Sequence, residues 1–340
     1  MDKRVIFAVA GSGKTTHLIS QLNLEQRFML LTYTISNYEN LRDGIIRKFG
    51  YFPDNIKLRS YFNFLYSFCY RPFLLQEVKA KGINWKLNTN RFAIADARFV
   101  DQYNRLYSNR IAKLLEEKKV IEYIQQRLSK YFDYLFIDEV QDFAGHDFNL
   151  IKNLSSSTLN ILLVGDFYQH TFDTSRDGAV NRTLHDNYEK YQESFKNLSF
   201  LVDITTLKKS WRCSPSICQF ISDSIGIGIE SHRNDKTAIS FITDEAVADD
   251  IFNDISIVKL FYQEHYKYGC YSKNWGDCKG EDKYESVCVV LNQNSLKMYM
   301  ADELRQLPAQ TLNKLYVACS RAKGNLYFVS DKLFKKYKTS

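Results

Sequence analysis

Two short segments of the chain contain residue types that could act on phosphates. The segment AGSGKTT, residues 10–16, places two glycines before Lys14 and Thr15. Glycines allow backbone N–H groups to surround phosphate oxygens, a lysine adds positive charge, and a threonine hydroxyl can bind Mg²⁺. The segment IDEVQD ends an apolar run and contains Asp138 and Glu139. Because a buried carboxylate needs a partner, the two segments together predict a site for Mg²⁺ and the phosphates of a nucleotide.

The residue types also indicate a role for each group in such a site. Lys14 would contact the β and γ phosphates, while Thr15 and Asp138 would hold Mg²⁺. Glu139 would orient an attacking water and remove its proton. The other predicted phosphate-binding residues are Gly11, Ser12, Gly13 and Thr16. The structural alternatives are a glycine-rich turn with a chance lysine and a charged turn after an edge strand.

Apolar runs and helical patterns alternate around these segments and must position them. The predicted helices of this part cover residues 16–26 and 37–50, and the predicted strands cover 5–10, 27–34, 134–140 and 160–167. Such alternation is typical of a parallel sheet, in which ligands bind at the carboxyl ends of the strands. Apolar residues between positions 60 and 130 recur at helical spacing, which predicts a helical insertion.

A second set of elements follows in the carboxyl-terminal half of the chain. A second sheet is expected to begin near residue 200, with strands at 200–207, 236–243, 284–291 and 325–330. Helices are predicted at 214–225, 246–266 and 312–322. The fold class is therefore predicted as α/β with two similar halves.

The composition is that of an ordinary globular protein with a mild excess of positive charge. The chain has 340 residues, and its net charge of +7 permits a polyanionic partner without requiring one. The seven cysteines form no C-x-x-C motif, which favours reduced thiols and a cytoplasmic location. A metal site is the less favoured alternative, and its ligands would be Cys213, Cys218, Cys270 and Cys278. Neither a signal peptide nor a long apolar run is evident, so no association with a membrane is expected.

Five motifs occur in an order that resembles superfamily 1 helicases of the UvrD/Rep type. They are AGSGKTT, IDEVQD, VGDFYQ, SWRCSPSI and YVACSRAK, which are similar to motifs I, II, III, IV and VI of that family. The resemblance spans residues 5–330. It implies two RecA-like domains with parallel sheets, ATP bound between them, and a small helical insertion in the first domain. The implied ranges are 1–70 with 131–205 for the first domain, 71–130 for the insertion and 206–340 for the second domain.

The resemblance also implies further residues of the ATP site. Gln169 in VGDFYQ would sense the γ-phosphate. Arg212 in SWRCS and Arg321 in CSRAK would contact the transferring phosphoryl group, whose spread charge suits a planar and permanently charged guanidinium. DCKGEDKYESVCVVL resembles the fifth motif, which implies that Glu281 or Asp282 contacts the ribose or the bound strand. Taken alone, each arginine would be a surface salt-bridge residue, but the ordered motifs favour the catalytic interpretation.

The same resemblance implies residues that would contact a nucleic-acid strand. Thr34 and Ser60 lie where two strand-contacting motifs are expected, and Phe62 and Phe172 could stack on bases. Core packing is the alternative for most aromatics of the insertion. Thr174 stands where the family has a stacking tryptophan, which weakens the expected contact with a single strand. The family's adenine-reading glutamine motif has no counterpart ahead of the phosphate loop, so the resemblance says little about which nucleotide binds.

Two functions are expected from these residues. The first is an ATP-dependent translocase or helicase that hydrolyses ATP with Mg²⁺ and acts on single-stranded DNA, with RNA as the other candidate strand. The alternative is a nucleotide-switch ATPase subunit of a phage, plasmid or anti-phage defence complex. Such a subunit would not unwind on its own and would signal to a protein partner such as a nuclease. A small-molecule kinase would share the phosphate loop but would not explain the two arginine motifs.

Overall fold

A computed structural model of the chain describes residues 2–88, 90, 92–171, 174 and 179–339. These residues form two units. Unit 1 consists of the residues up to Phe7, Lys14–Phe167 and a segment that ends at Asp203, and unit 2 consists of Ala8–Gly13, Tyr168–Thr171 and the residues from Ile204 onward. Each unit contains its own parallel sheet with helices, which confirms the predicted α/β class. The domain boundaries given above remain a prediction.

The sheet of unit 1 has six strands, and all of its ladders are parallel. In spatial order the strands are Ile56–Ser60, Phe28–Thr32, Tyr134–Asp138, Asn160–Gly165, Lys3–Phe7 and Leu201–Asp203. The inner strands are nearly continuous apolar runs, as expected for parallel strands that are buried on both faces. Their carboxyl ends share one edge, where Thr32 pairs with Ser60 and Asp138 with Val164. Polar side chains of the predicted site therefore begin at this edge.

The strand Leu201–Asp203 belongs to this first sheet. It pairs with Lys3–Phe7, and Arg4 forms an ion pair with Asp203. The expectation that a second sheet begins near residue 200 is therefore wrong. An apolar run at the edge of one sheet has the same local pattern as a run that opens the next sheet, so the pattern could not distinguish the two.

Several helices of unit 1 lie in the predicted insertion, residues 71–130. The α-helices are Lys14–Ser20, Ile35–Phe49, Tyr61–Asn63, Arg71–Val78, Ile111–Glu117, Ile121–Tyr131, Gly145–Leu154 and Tyr188–Lys196, with a π-helix at Phe64–Tyr70 and 3₁₀ turns at Ala95–Arg98, Ser108–Arg110 and Val140–Asp142. The insertion also contains a small parallel ladder of Ile83–Asn84 with Leu106–Tyr107. It is therefore mainly, but not entirely, helical.

Close packing fixes the short helix that begins at Lys14. A Cβ atom added to Gly44 would lie 2.3 Å from the Ile19 Cδ1 atom, so a larger residue in the helix Ile35–Phe49 would require the Ile19 side chain to move. Lys48 donates from Nζ to the backbone carbonyls of Ile19 and Leu22 at 2.8 and 2.6 Å. These bonds satisfy carbonyl groups that a helix leaves free at its end, and they hold the helix that follows the phosphate loop.

The sheet of unit 2 has five parallel strands. In spatial order they are Ile239–Ile242, Leu326–Ser330, Ser286–Leu291, Ile257–Phe261 and Ser272–Asn274. The predicted helix at 246–266 is wrong beyond its first part, because the helix ends at Asn253 and Ile257–Phe261 is a fully buried strand. Four of its five residues are apolar, and Lys259 between them is buried as well. Burial on both faces of a sheet outweighs the helical spacing that connects this strand to the preceding segment.

The remaining elements of unit 2 surround this sheet. Its α-helices are Pro215–Phe220, Glu245–Asn253, Gln293–Met300, Ala309–Cys319 and Asp331–Phe334, with a π-helix at Ile221–Ile225 and 3₁₀ turns at His265–Lys267, Leu304–Gln306 and Lys335–Tyr337. A short ladder pairs Lys209–Ser210 with Glu230–Ser231, and one more 3₁₀ turn covers Phe167–Gln169. None of the helices in the described part of the chain has the length and apolar character needed to cross a membrane.

Candidate active site

The predicted carboxylates stand at the carboxyl end of a central strand of unit 1. Asp138 is the last residue of Tyr134–Asp138, and Glu139 follows it with φ 56° and ψ 47°. A left-handed backbone is uncommon for a residue with a side chain and requires support from its surroundings. Both carboxyl groups are buried. The strand therefore ends in two adjacent acids that the local structure must hold in place.

Gln141 holds the carboxylate of Glu139. Its side-chain Nε2 donates to Glu139 Oε2 at 2.6 Å, and its Oε1 accepts from the backbone N–H of Asp166 at 3.0 Å. Gly165 makes room for this amide, since an added Cβ would lie 2.3 Å from Gln141 Oε1. The segment VGD thus supports the segment DEVQD. This explains physically why glycine and glutamine occur at these two positions.

The electrostatics of Asp138 fit a divalent cation. Burial and the neighbouring Glu139 carboxylate raise the pKa of Asp138 to about 7, although Lys14 opposes this shift. Its Oδ2 atom is buried without a hydrogen-bond partner among the described residues, while Oδ1 accepts the Glu139 N–H at 3.0 Å. The Lys14 Nζ atom lies 4.0 Å from Glu139 Oε1. A bound cation would favour the ionised form of Asp138 and give Oδ2 a partner.

Asp138 would need help from other ligands to hold Mg²⁺. Within the described ranges, no group of three or more His, Cys, Asp and Glu residues is arranged to hold a metal ion. Mg²⁺ usually takes one or two protein ligands and completes its octahedron with substrate phosphates and water. Thr15 is partly exposed beside Lys14 and can supply a hydroxyl, whereas Thr16 is exposed. The residues present therefore fit Mg²⁺ that arrives with a nucleotide.

The glycine-rich part of the phosphate loop packs against other residues of unit 2. Gly11 has φ +69°, and an added Cβ would lie 2.7 Å from both Arg212 Cβ and Ser210 Oγ. The backbone N–H of Trp211 donates to the Gly11 carbonyl at 2.8 Å. Glycine is therefore required here by the backbone angle and by the close approach. The same contacts place Arg212 beside the loop.

Other atoms of the loop are also tied to unit 2 or buried there. The Ala10 N–H donates to the Tyr316 hydroxyl at 2.8 Å. Ser12 is buried, and its Oγ has no hydrogen-bond partner among the described residues. Gly13 has φ +85°, a second left-handed position in the loop. The loop thus has a fixed course and a buried hydroxyl available to a ligand.

The two predicted arginines also belong to unit 2. Arg321 is buried, and it donates to the carbonyls of Val317 and Glu281 and to Gln169 Oε1 at 3.3 Å. Burial lowers the pKa of its guanidinium, with the nearby Arg212 as a further cause. Arg212 donates to Asp282 Oδ1 at 2.5 Å and to the Ser320 carbonyl at 3.2 Å. Hydrogen bonds within unit 2 therefore hold all three side chains: Arg321 is bonded to Gln169, and Arg212 is bonded to the carbonyl of Ser320, the residue directly before Arg321.

The predicted nucleotide contact of Glu281 has a structural competitor. Its carboxylate accepts from Lys273 Nζ at 2.5 Å and also from the hydroxyl of Tyr284. Its backbone carbonyl accepts from Arg321 at 3.1 Å. Glu281 thus positions Arg321 through its main chain, and its side chain is already engaged. A contact with the ribose or a strand stays a prediction.

One segment of the chain matches a known family directly. Residues 74–199 match the model of the UvrD/REP helicase N-terminal domain. This segment, about a third of the chain, is therefore similar to the N-terminal domain of UvrD/REP helicases. This match confirms the family that the ordered motifs indicate. No curated protein matches the sequence significantly.

Solved structures similar to this UvrD-like chain include viral helicases of low sequence identity. A PRRSV helicase is 13% identical with a TM-score of 0.46, and the alignment covers 99% of this chain and 54% of that one. An arterivirus nonstructural protein 10 helicase in complex with DNA is 14% identical with a TM-score of 0.49, covering 96% and 60%. This chain thus spans about three fifths or less of their length. TM-scores below 0.5 give no argument about activity.

The predicted strand-contacting residues of this UvrD-like chain have structural roles as well. The hydroxyl of Thr34 accepts from the Asn37 N–H at 3.2 Å and caps the helix Ile35–Phe49. Ser60 accepts from the Asn63 N–H at 3.4 Å and caps the next helix in the same way. Both hydroxyls follow neighbouring strands of the sheet of unit 1. They lie close in the fold, but their side chains already have partners.

The third helicase motif of this chain differs from the family beyond Gln169. Phe172 lies outside the described residues, so its predicted contact with a strand stays a prediction. Thr174 is buried; its N–H donates to the Asp142 carbonyl at 3.1 Å, and its Oγ accepts from the Ala144 N–H at 3.2 Å. It therefore stabilises the turn after the carboxylates and does not present a surface to a strand.

Sequence reasoning missed Trp211, the residue directly before Arg212. Its indole is 64% exposed and stacks on the His232 ring at 3.8 Å between centroids and 14° between planes. Its backbone is bonded to Gly11 in the phosphate loop. The available signal was a tryptophan inside a motif used only for its arginine. An exposed aromatic ring attached to a phosphate-binding loop can stack on a base.

Proposed function

We propose that this protein hydrolyses ATP and uses it to move along single-stranded DNA. The observation that supports this most directly is the approach of Arg212 to the phosphate loop. An added Cβ at Gly11 would lie 2.7 Å from Arg212 Cβ. An arginine whose backbone lies against a loop of backbone amides is suited to direct its guanidinium toward the charge of a transferring phosphoryl group. A phosphate loop that binds a nucleotide without hydrolysing it would not need an arginine at this position.

The phosphates would be held by the loop and by Lys14. The backbone N–H groups around Gly11 and Gly13 would surround phosphate oxygens, and Lys14 would add its charge near the β and γ phosphates. Thr15 and Asp138 would hold Mg²⁺, which would neutralise charge on the phosphate oxygens when bound. The unpartnered Oδ2 of Asp138 supports this assignment.

Glu139 would act as the general base for hydrolysis. Gln141 holds its carboxylate at 2.6 Å, so the group is oriented before the substrate arrives. Glu139 would accept the proton of the attacking water as the water oxygen bonds to the γ-phosphorus and the bond to the β-phosphate oxygen breaks. Arg212 and Arg321 would stabilise the charge that develops, with Gln169 bonded to Arg321 at 3.3 Å.

The base of the nucleotide would stack on Trp211. Its ring is 64% exposed, and its backbone N–H is bonded to Gly11 of the phosphate loop. Stacking is tolerant of base identity because every base presents an aromatic face. We therefore expect ATP to be accepted together with other nucleoside triphosphates, with only modest discrimination.

The decisive measurement compares ATP turnover with and without single-stranded DNA. A strand-driven motor should hydrolyse ATP severalfold faster when a saturating oligonucleotide is present. An oligonucleotide of RNA, tested in parallel, shows which strand is preferred. Equal turnover with and without either strand would contradict the motor. A Gln169→Ala variant, which removes the acceptor of the Arg321 bond, should have slow turnover under both conditions.

The alternative is a nucleotide-switch ATPase subunit that signals to a partner such as a nuclease. The burial of Thr174 favours it, because this position then gives no stacking contact to a translocating strand. A strand-displacement assay separates the two functions. Unwinding by the chain alone would favour the motor. Failure to unwind, together with copurification of a second protein that changes ATP turnover, would favour the switch.

A further inference from the structure

A row of aromatic rings runs from the sheet of unit 1 to the insertion. Tyr33 follows the strand Phe28–Thr32, and its ring centroid lies 5.6 Å from that of Phe62. Phe62 in turn contacts Trp85, with centroids 4.8 Å apart and planes at 89°. Trp85 follows the short strand Ile83–Asn84 of the insertion. Three separate parts of the chain thus converge on one line of rings.

Trp85 is the exposed end of this row. It is 63% exposed although it is a large apolar side chain. Its edge-to-face contact with Phe62 fixes one part of the indole and leaves much of it open to solvent. An exposed aromatic ring held by a second ring is a ready stacking platform, because little side-chain freedom is lost on binding.

A groove is lined by residues of the same short segment that carries Phe62. It has a volume of about 580 Å³, and Ser60 and Asn63, which flank Phe62, are part of its wall. Its charged lining residues are Arg42, Lys57, Arg59 and Asp54. Three positive charges against one negative charge favour an anionic occupant. Arg59 also donates to the Asn63 side chain at 2.6 Å, and this bond orients two residues of the groove wall.

We propose that Trp85 stacks on a base of a single-stranded nucleic acid whose adjacent phosphates lie in the groove lined by Arg42 and Lys57. Bases need an aromatic face and phosphates need cations. The segment 60–63 links the two features, because it carries Phe62 of the ring row and Ser60 and Asn63 of the groove wall. Trp85 is 63% exposed, whereas Thr174, where the family resemblance led us to look for a stacking residue, is buried. This inference rests on the proposed function only in its choice of a nucleic-acid strand as ligand.

The test measures binding of a fluorescent oligothymidine by anisotropy, without nucleotide. The Trp85→Ala variant should raise Kd by about 5- to 150-fold, the range expected for loss of one stacked base. Trp85→Phe should recover most of the affinity. The matched control is Phe92→Ala, because Phe92 is 91% exposed in the same insertion and belongs to no ring pair of this row. Phe92→Ala should leave Kd unchanged.

A second variant tests the groove independently. The double variant Arg42→Ala/Lys57→Ala should weaken binding and reduce the slope of log Kd against log salt by about one to two, since each phosphate contact releases about 0.7 counterion from a single strand. This double variant also tests the inference if thermal melting shows that Trp85→Ala does not fold.

Several outcomes would overturn the inference. Wild-type affinity in Trp85→Ala would do so, as would equal losses in Trp85→Ala and Phe92→Ala, which would indicate a general apolar surface for a protein partner. If the slope of log Kd against log salt is unchanged in the double variant, the groove does not bind the phosphates of the strand. If the wild type binds the oligonucleotide and Trp85 matters, but the strand does not change ATP turnover, only the proposed motor fails. If turnover responds to the strand and Trp85 does not matter, only this inference fails.

Discussion

The residues assigned to the nucleotide and those assigned to the strand are held in different ways. Glu139 is bonded to Gln141, and Arg321 to Gln169, so acidic and basic groups are fixed by other members of the predicted motifs. Thr34 and Ser60, by contrast, are bonded to the helices that follow them. Buried charge demands specific partners, whereas a surface for a flexible strand needs only exposed rings and cations. A motif can therefore define the first kind of site more completely than the second.

The largest effect that tests this contrast is expected for Lys14→Ala and Glu139→Gln. Each should reduce ATP turnover by at least about 10³-fold, because one removes charge stabilisation and the other removes the base. Binding of an oligonucleotide should change little. Turnover is measured by phosphate release and binding by anisotropy. Retained turnover in both variants would remove the site assignment.

A smaller loss is expected for Arg212→Ala, about 10²- to 10³-fold in kcat, as for removal of one preorganised donor. Arg212→Lys should recover only part of this loss, because an ammonium cannot reproduce the planar fork that bonds Asp282 and Ser320. Single-turnover kinetics with saturating ATP separate this effect from weaker binding. If the lysine variant has full activity, Arg212 acts as a simple point charge.

Asp147 tests whether a buried carboxylate with a raised pKa is necessarily part of the ATP site. Burial raises the pKa of Asp147 to about 7, while the Tyr61 hydroxyl that it accepts from at 2.8 Å opposes the shift. Because the folded pKa exceeds the unfolded one, this group destabilises the fold progressively as pH rises from about 4 to about 7. Asp147→Asn should remove about 2 kcal/mol of stability change between pH 5 and pH 7.

The measurement for Asp147 is urea unfolding of the wild type and Asp147→Asn at both pH values. The variant should gain stability relative to the wild type at the higher pH. Its ATP turnover should stay near that of the wild type, since Asp147 bonds Tyr61 and not the phosphate loop. A parallel pH dependence in the two proteins would mean that Asp147 is ionised throughout.

The smallest effects are expected for the two capping hydroxyls. Thr34→Ala and Ser60→Ala should each lower the free energy of unfolding by about 1 kcal/mol, the usual cost of losing an N-cap. Thr34→Ser keeps the cap and is the matched control. If Thr34→Ala weakens oligonucleotide binding and Thr34→Ser does not, the hydroxyl serves both the helix and the strand. A loss of stability alone would leave Thr34 as a cap only.

The sequence by itself predicted a candidate chemistry and located most strands of the two sheets. Residues 135–137 and 161–164 are apolar at every position, so this pattern indicates strands that are buried on both faces of a parallel sheet. The order of the motifs indicated the family, and the types of Lys14, Asp138 and Glu139 indicated the reaction. These properties are local, because each depends on residues that are close in the chain.

Only the tertiary structure revealed the strand pairings and side-chain contacts between residues that are distant in the chain. It placed Leu201–Asp203 beside Lys3–Phe7 and made Ile257–Phe261 a strand, because sheet partners far along the chain compete with local helical spacing. It brought Trp211 to Gly11 and Trp85 to Phe62. It also buried Thr174. Contacts of this kind follow from packing, and no local pattern of residue types encodes them.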